Sequence, residues 1–104
     1  MPVEPTPDES VVWEALRGVI DPEIGESVVE LGLVYRVECG PGRVRVELTM
    51  TSPACPMGGS IADDAEGAIR EACNEAHDVQ VAIVFDPPWT PERMSDGLRQ
   101  RFGW

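Results

Sequence analysis

The feature that constrains this chain most is a change of period across Leu48–Ser60, LTMTSPACPMGGS. On its N-terminal side Val44, Val46, Leu48 and Met50 alternate with Arg43, Arg45, Glu47 and Thr49, the two-residue period of a strand with one buried face. On its C-terminal side Ile61, Ala65, Ala68, Ile69, Ala72, Cys73 and Ala76 recur at helical spacing, with Asp63, Asp64, Glu66, Arg70, Glu71 and Glu75 between them. Cys55 lies between Pro53 and Pro56, where strand hands over to helix. The fold must therefore place a cysteine at a junction whose backbone two prolines restrict.

The other elements are placed around that junction. Thr6-Pro7-Asp8-Glu9 reads as a capping box with proline at the first helical position, so a helix is expected to follow, with Val12, Leu16, Val19 and Ile20 as its buried stripe. Asp21-Pro22 forces residue 21 out of helical geometry and is expected to end it. From Glu23 to Gly32 the pattern is irregular, a structured loop. Leu33–Cys39 and Arg43–Met50 flank Gly40-Pro41-Gly42 as an antiparallel hairpin. Val79–Phe85 is nearly all apolar, as in a strand covered on both faces, and Asp86-Pro87-Pro88-Trp89 stops it. Thr90-Pro91-Glu92 repeats the cap-then-proline signal ahead of a short helix with Met94, Leu98 and Phe102 facing inward.

The order helix, strand, strand, helix, strand, helix predicts an α+β domain with a small sheet and helices packed on it. At 104 residues one core is available and a second domain is not. Residues 1–10 read as an extended arm with the first helix cap, and 11–104 as one domain.

With 19 acidic and 8 basic residues, all arginine, the net charge of -11 disfavours nucleic acid and anionic membranes as partners. No apolar run approaches the roughly 18 residues of a membrane span, and MPVEPTPDES lacks the basic start of an export signal, so the expected location is the cytoplasm. Three cysteines without an export signal point to reduced thiols and not to a disulfide framework.

Cys55 is the strongest candidate for chemistry. A helix's first turn offers unpaired N–H groups and partial positive charge that favour a thiolate, which is both ligand and nucleophile. Met57-Gly58-Gly59-Ser60 adds small residues that admit a close approach. A packed structural thiol is the competing reading. Asp21 and Glu23 flank Pro22 as oxygen ligands or as a solvated turn, and Thr49, Thr51 and Ser52 are candidates to hold the Cys55 loop by side-chain to backbone hydrogen bonds. Cys73 on the apolar helix stripe and Cys39 at a strand end read as packing residues, His77 as a helix-end residue, and Trp89 as a core lid or a recognition aromatic. No C-x-x-C pair is present, so neither a thioredoxin-like site nor a single-chain zinc site is supported.

Together DPEIGESVVELGLVY (Asp21–Tyr35), LTMTSPACP (Leu48–Pro56) and DPPWTPERMS (Asp86–Ser95) resemble the iron-sulfur cluster assembly domain family of SufT and PaaD-like proteins. The resemblance covers the chain from about Val11 onward. It implies the family's α/β domain with a mixed sheet, Cys55 as the reactive cysteine, Asp21 and Glu23 in its pocket, and Thr49 and Thr51 supporting it. Ser52 stands where the family often has threonine, and Glu30 where aspartate is usual. PaaD proper is longer, with a cysteine-rich C-terminal extension lacking here, so the resemblance favours a general assembly role like that of SufT over phenylacetate breakdown.

The implied function is non-enzymatic maturation of iron-sulfur proteins, with iron or a labile cluster on Cys55 and with the assembly machinery and client apoproteins as partners. One cysteine supplies too few thiolates for a four-cysteine cluster, which suggests sharing across a homodimer. The alternatives are a metal-free adaptor that binds clients through its acidic surface and the Trp89 region, and a thiol redox enzyme based on Ser52-Pro53-Ala54-Cys55.

Overall fold

The computed structural model describes residues 6–22, 24–50, 58–74 and 76–103. Its elements are α1 (Glu9–Arg17), β1 (Ile20–Asp21), β2 (Glu26–Ser27), β3 (Val34–Gly40), β4 (Arg43–Leu48), α2 (Gly58–Ala72), β5 (Asp78–Ile83), a 3-10 turn (Pro91–Arg93) and α3 (Asp96–Phe102). This is the α+β order expected, with a small β1-β2 ladder added in the loop. The main sheet has the order β3-β4-β5; β3 and β4 are antiparallel, while β4 and β5 are parallel through the α2 crossover. The sheet is therefore mixed.

The hairpin follows from its sequence. Gly40 pairs with Arg43 across Pro41-Gly42, and Gly42 takes a φ of 67°, a left-handed conformation that glycine adopts without strain. Val44, Val46 and Leu48 are buried while Arg43 and Arg45 are exposed, as the alternation requires. On the helix-covered side Ile61, Ala65 and Ile69 of α2 and Cys73 just after it are buried with them, as are Val12 and Leu16 of α1. The opposite face of the sheet carries Arg36, Glu38, Arg45 and Gln80, all exposed. There Arg36 pairs with Glu38, and Arg45 Nη2 donates to Gln80 Oε1 at 3.1 Å. Helices thus cover one face of the sheet, and a charge-alternating surface forms the other.

Five local expectations need correction. Helix α2 ends at Ala72, so His77 is not a helix-end residue and directly precedes β5. The cap of α1 is Asp8, whose side chain accepts from the Ser10 backbone N–H; Thr6 does not serve. The helix ends at Arg17 because Gly18 bonds back to Ala15 and Leu16, so the Asp21-Pro22 stop is never reached. Ile20 consequently leaves the helical stripe and sits on β1, 45% exposed. β5 is covered on one face only: Val79 is buried, Gln80 and Ala82 are exposed, and Phe85 beyond it is 48% exposed. At the C-terminus the Thr90-Pro91 signal starts only the 3-10 turn. Ser95 caps α3 by accepting from Leu98 N–H. Met94 and Leu98 are buried as expected, and the arm over residues 1–5 lies outside the described residues.

Candidate functional site

The site is built where β4 ends. A series of main-chain bonds crosses from the loop to that point: Val28 N–H donates to Val19 O at 2.9 Å, Leu33 N–H to Val28 O at 2.9 Å, and Thr49 N–H to Leu33 O at 2.8 Å. At its far side Asp21 O accepts from Gly25 N–H at 2.6 Å and from Ile24 N–H at 3.3 Å, closing a turn in which Gly25 has a φ of 80°. These bonds tie the Asp21 loop, the Leu33 segment and the exit of β4 into one layer.

Within that layer the Asp21 residue has no solvent exposure and Thr49 has 1%; Met50 beside it is also buried. The solvated-turn reading of Asp21 is therefore wrong, because this side chain belongs to the interior. Interior carboxylates are uncommon, since desolvating the charge is costly without compensating interactions. Thr49 Oγ1 is buried and finds no hydrogen-bond partner among the described residues. A buried hydroxyl in that state costs about 1–3 kcal/mol. Cys55, Glu23, Thr51 and Ser52 lie outside the described residues. Among the described residues no group of three or more His, Cys, Asp or Glu side chains is arranged to hold a metal.

Further contacts hold the loop from the C-terminal side. Trp89 Nε1 donates to Leu31 O at 2.7 Å, Ser95 N–H donates to Glu30 O at 2.8 Å, and Tyr35 Oη donates to Pro87 O at 2.8 Å. The Arg93 guanidinium lies over the Tyr35 ring, 4.6 Å from its centroid. Gly32, with a φ of 73°, lets the Arg93 carbonyl pass so close that an added Cβ would lie 2.0 Å from its oxygen. The first and third sequence motifs are thus packed on one another. Trp89 packs against the core as a lid and does not stand out for recognition. Tyr35 and Arg93 are positioning residues that the sequence marks only by their place inside the two motifs, whereas Gly32 is legible there as a glycine available for a positive backbone angle.

The other thiols lie elsewhere. Cys73 is buried at 1% exposure just past the end of α2, where its N–H donates to Ile69 O at 2.8 Å. Cys39 is half-buried on β3, and burial, together with the negative charge of Glu9 and the neighbouring Cys73, pushes its thiol above the ordinary value. A cavity of about 490 Å³ borders Cys39, Glu9, Arg43 and Asp78 at the hairpin turn. Thr49 is at the other end of β4, roughly 20 Å away at the rise of a strand, so this cavity is separate from the Asp21–Thr49 layer.

Comparison with known proteins gives the same picture. The family of iron-sulfur cluster assembly proteins matches residues 9–83. The Fe-S protein maturation auxiliary factor YitW of Bacillus subtilis strain 168 is 42% identical over 85 residues, covering 81% of this chain and 82% of that protein. The Fe-S protein maturation auxiliary factor SufT of Staphylococcus aureus strain USA300 is 46% identical over 78 residues, 74% of this chain and 88% of that protein. The crystal structure of a domain of unknown function, DUF59, from Bacillus anthracis superposes with a TM-score of 0.86 at 38% identity, covering 91% of each chain. By its sequence, its fold and the extent of these matches, the chain belongs to the iron-sulfur cluster assembly protein family.

Proposed function

We propose that this chain is a maturation factor for iron-sulfur proteins that carries iron or a labile cluster on Cys55. Asp21 and Glu23 supply carboxylate oxygens, and Thr49, Thr51 and Ser52 hold the segment that bears the cysteine. The observation that carries the reading is the complete burial of Asp21 in the layer that ends at Thr49, immediately before the Cys55 segment. A soft thiolate combined with hard carboxylates suits weak, exchangeable iron binding better than permanent storage. The cluster is cargo on this reading, and the protein performs no catalytic step. One thiolate per chain leaves ligand positions for the assembly machinery or a client apoprotein to fill, which suits a site made for transfer in the cytoplasm.

Anaerobic reconstitution with ferrous iron and sulfide tests it. Wild type should gain the visible absorption of a cluster, while Cys55→Ala should lose most of it and Asp21→Ala should hold it less long. Equal uptake by Cys55→Ala overturns the ligand assignment. Client capture that survives Cys55→Ser in metal-free protein would establish the adaptor reading in its place.

A further inference from the structure

β5 forms one edge of the three-stranded sheet, and among the described residues no strand pairs with its outer side. Asp78 N–H donates inward to Gly42 O and Val84 N–H to Leu48 O. Main-chain direction alternates along a strand, so Val79, Val81 and Ile83 turn their N–H and C=O groups outward. A groove of about 520 Å³ follows this edge between Glu66 of α2 and the Arg45–Glu47 stretch of β4, with Val79 and Val81 in its wall. Natural edge strands are guarded by lysine, proline, inward-pointing charge or a bulge. Residues 79–84, VQVAIV, contain no charge and no proline, and the β4–β5 register runs without interruption.

We infer that this edge binds a second copy of the chain, with two β5 strands pairing antiparallel about a two-fold axis at Val81 to join the sheets into one of six strands. Outward-facing residues must meet outward-facing residues, which restricts the register. Centred on Val81, the pairing sets Val79 against Ile83 and Val81 against its own copy, so that all three outward main-chain positions are used and the two half-buried Val81 side chains meet on the helix-covered side. Asp78 then faces Val84. Moving the axis one residue to Ala82 would set Asp78 against Asp86, a like-charge pair that disfavours that register. The Val81-centred register thus uses all three outward positions of the strand and avoids that repulsion. Glu66, at the groove wall, is paired with Arg70 of its own helix at 3.5 Å.

The arrangement fixes where the two carrier sites lie. Leu48 is level with Ile83, so the Thr49 end of each copy lies at the Val84 end of its own β5. Antiparallel pairing sends the two Thr49 ends to opposite ends of the joined sheet, roughly 20 Å apart along the strands. Such a dimer is a two-site carrier in which each copy loads and unloads separately, and not a pair sharing one cluster at that end.

Light scattering on a sizing column, across protein concentration and at low and high sodium chloride, tests the inference. The mass should rise toward that of two chains with concentration. It should rise further with salt, because each copy carries a charge of -11 and screening relieves the repulsion. Amide exchange at Val79, Val81 and Ile83 should slow in the same samples. Val81→Pro, which removes an outward N–H and leaves the β4–β5 hydrogen bonds their donors, should give one-chain mass with an unchanged circular dichroism spectrum. The inference is overturned by a one-chain mass throughout, by two-chain mass in folded Val81→Pro, or by fast exchange of the outward amides in the two-chain fraction. Should Val81→Pro fail to fold, the exchange of the wild-type amides decides alone. These readouts need no metal, so they stand or fall apart from the cluster assignment.

Discussion

The indole Nε1 of Trp89 donates a 2.7 Å hydrogen bond to the main-chain carbonyl of Leu31 across 58 residues of sequence. Through it the segment after β5 holds the loop that carries Asp21. Trp89→Phe keeps most of the apolar body and removes the donor, so it should destabilise by about 1–3 kcal/mol, the cost of leaving a buried acceptor without its partner. Urea unfolding should show the loss as a lower midpoint at unchanged slope.

Gly32 and Gly103 have nearly the same φ, 73° and 71°, but different surroundings. An added Cβ meets Arg93 backbone at Gly32 and nothing within 4 Å at Gly103. Gly103→Ala should cost about 1 kcal/mol, the left-handed penalty alone. Gly32→Ala should cost several times as much, because Arg93 must also move. Comparing the two variants by thermal unfolding separates backbone strain from collision, and equal losses would show that the close approach at Arg93 does not matter.

Thr49→Val tests whether the buried hydroxyl serves the fold or the site. Since Thr49 Oγ1 has no hydrogen-bond partner among the described residues, the variant should be as stable as wild type or more stable by about 1 kcal/mol. Cluster retention in the reconstitution assay should fall nonetheless. A variant with lower stability and unchanged retention would mark Thr49 as structural.

Asp8 gives the first helix a pH signature. Its carboxylate accepts from the Ser10 hydroxyl at 2.8 Å and from the Ser10 N–H at 2.9 Å, and these bonds hold its pKa below the ordinary 3.8. A group depressed on folding stabilises above its unfolded pKa, and the contribution is lost as pH falls through the folded value. Wild type should therefore exceed Asp8→Ala in melting temperature at neutral pH, with the gap narrowing below pH 3.8 as the carboxylate protonates. A gap that stays constant with pH would assign the effect to helix propensity instead of the cap.

The hairpin and α2 were legible because their periods are carried by side chains whose environment is local. Arg43, Arg45 and Glu47 must face water if Val44, Val46 and Leu48 do not. β5 was misread as doubly covered because a run of valine, isoleucine and alanine hides its alternation. Gln80 marked the open face, and a β-branched edge strand has the same composition as an interior one. Both misplaced helix starts arose where two residues compete for a cap. Asp8 prevails over Thr6 by reaching Ser10, and Ser95 over Thr90 by reaching Leu98. The burial of Asp21 was not legible, because no local pattern marks a carboxylate for the interior. That burial comes from main-chain bonds made with residues 19–33 and 49, a property of the assembled layer. The three motifs could be read, but not that the first and third touch.

That contact separates two kinds of boundary. The family match stops at residue 83, yet Trp89, Tyr35, Arg93 and Ser95 join the loop to the chain beyond it, and Met94 and Leu98 are each only 4% exposed. A truncation at the end of the matched region would leave the carbonyls of Glu30 and Leu31 without these donors and strip two side chains from the core. The stretch that the family model matches is therefore shorter than the stretch that must fold together, and the Asp21 loop depends on residues beyond it, into which the 91% coverage of the Bacillus anthracis structure extends.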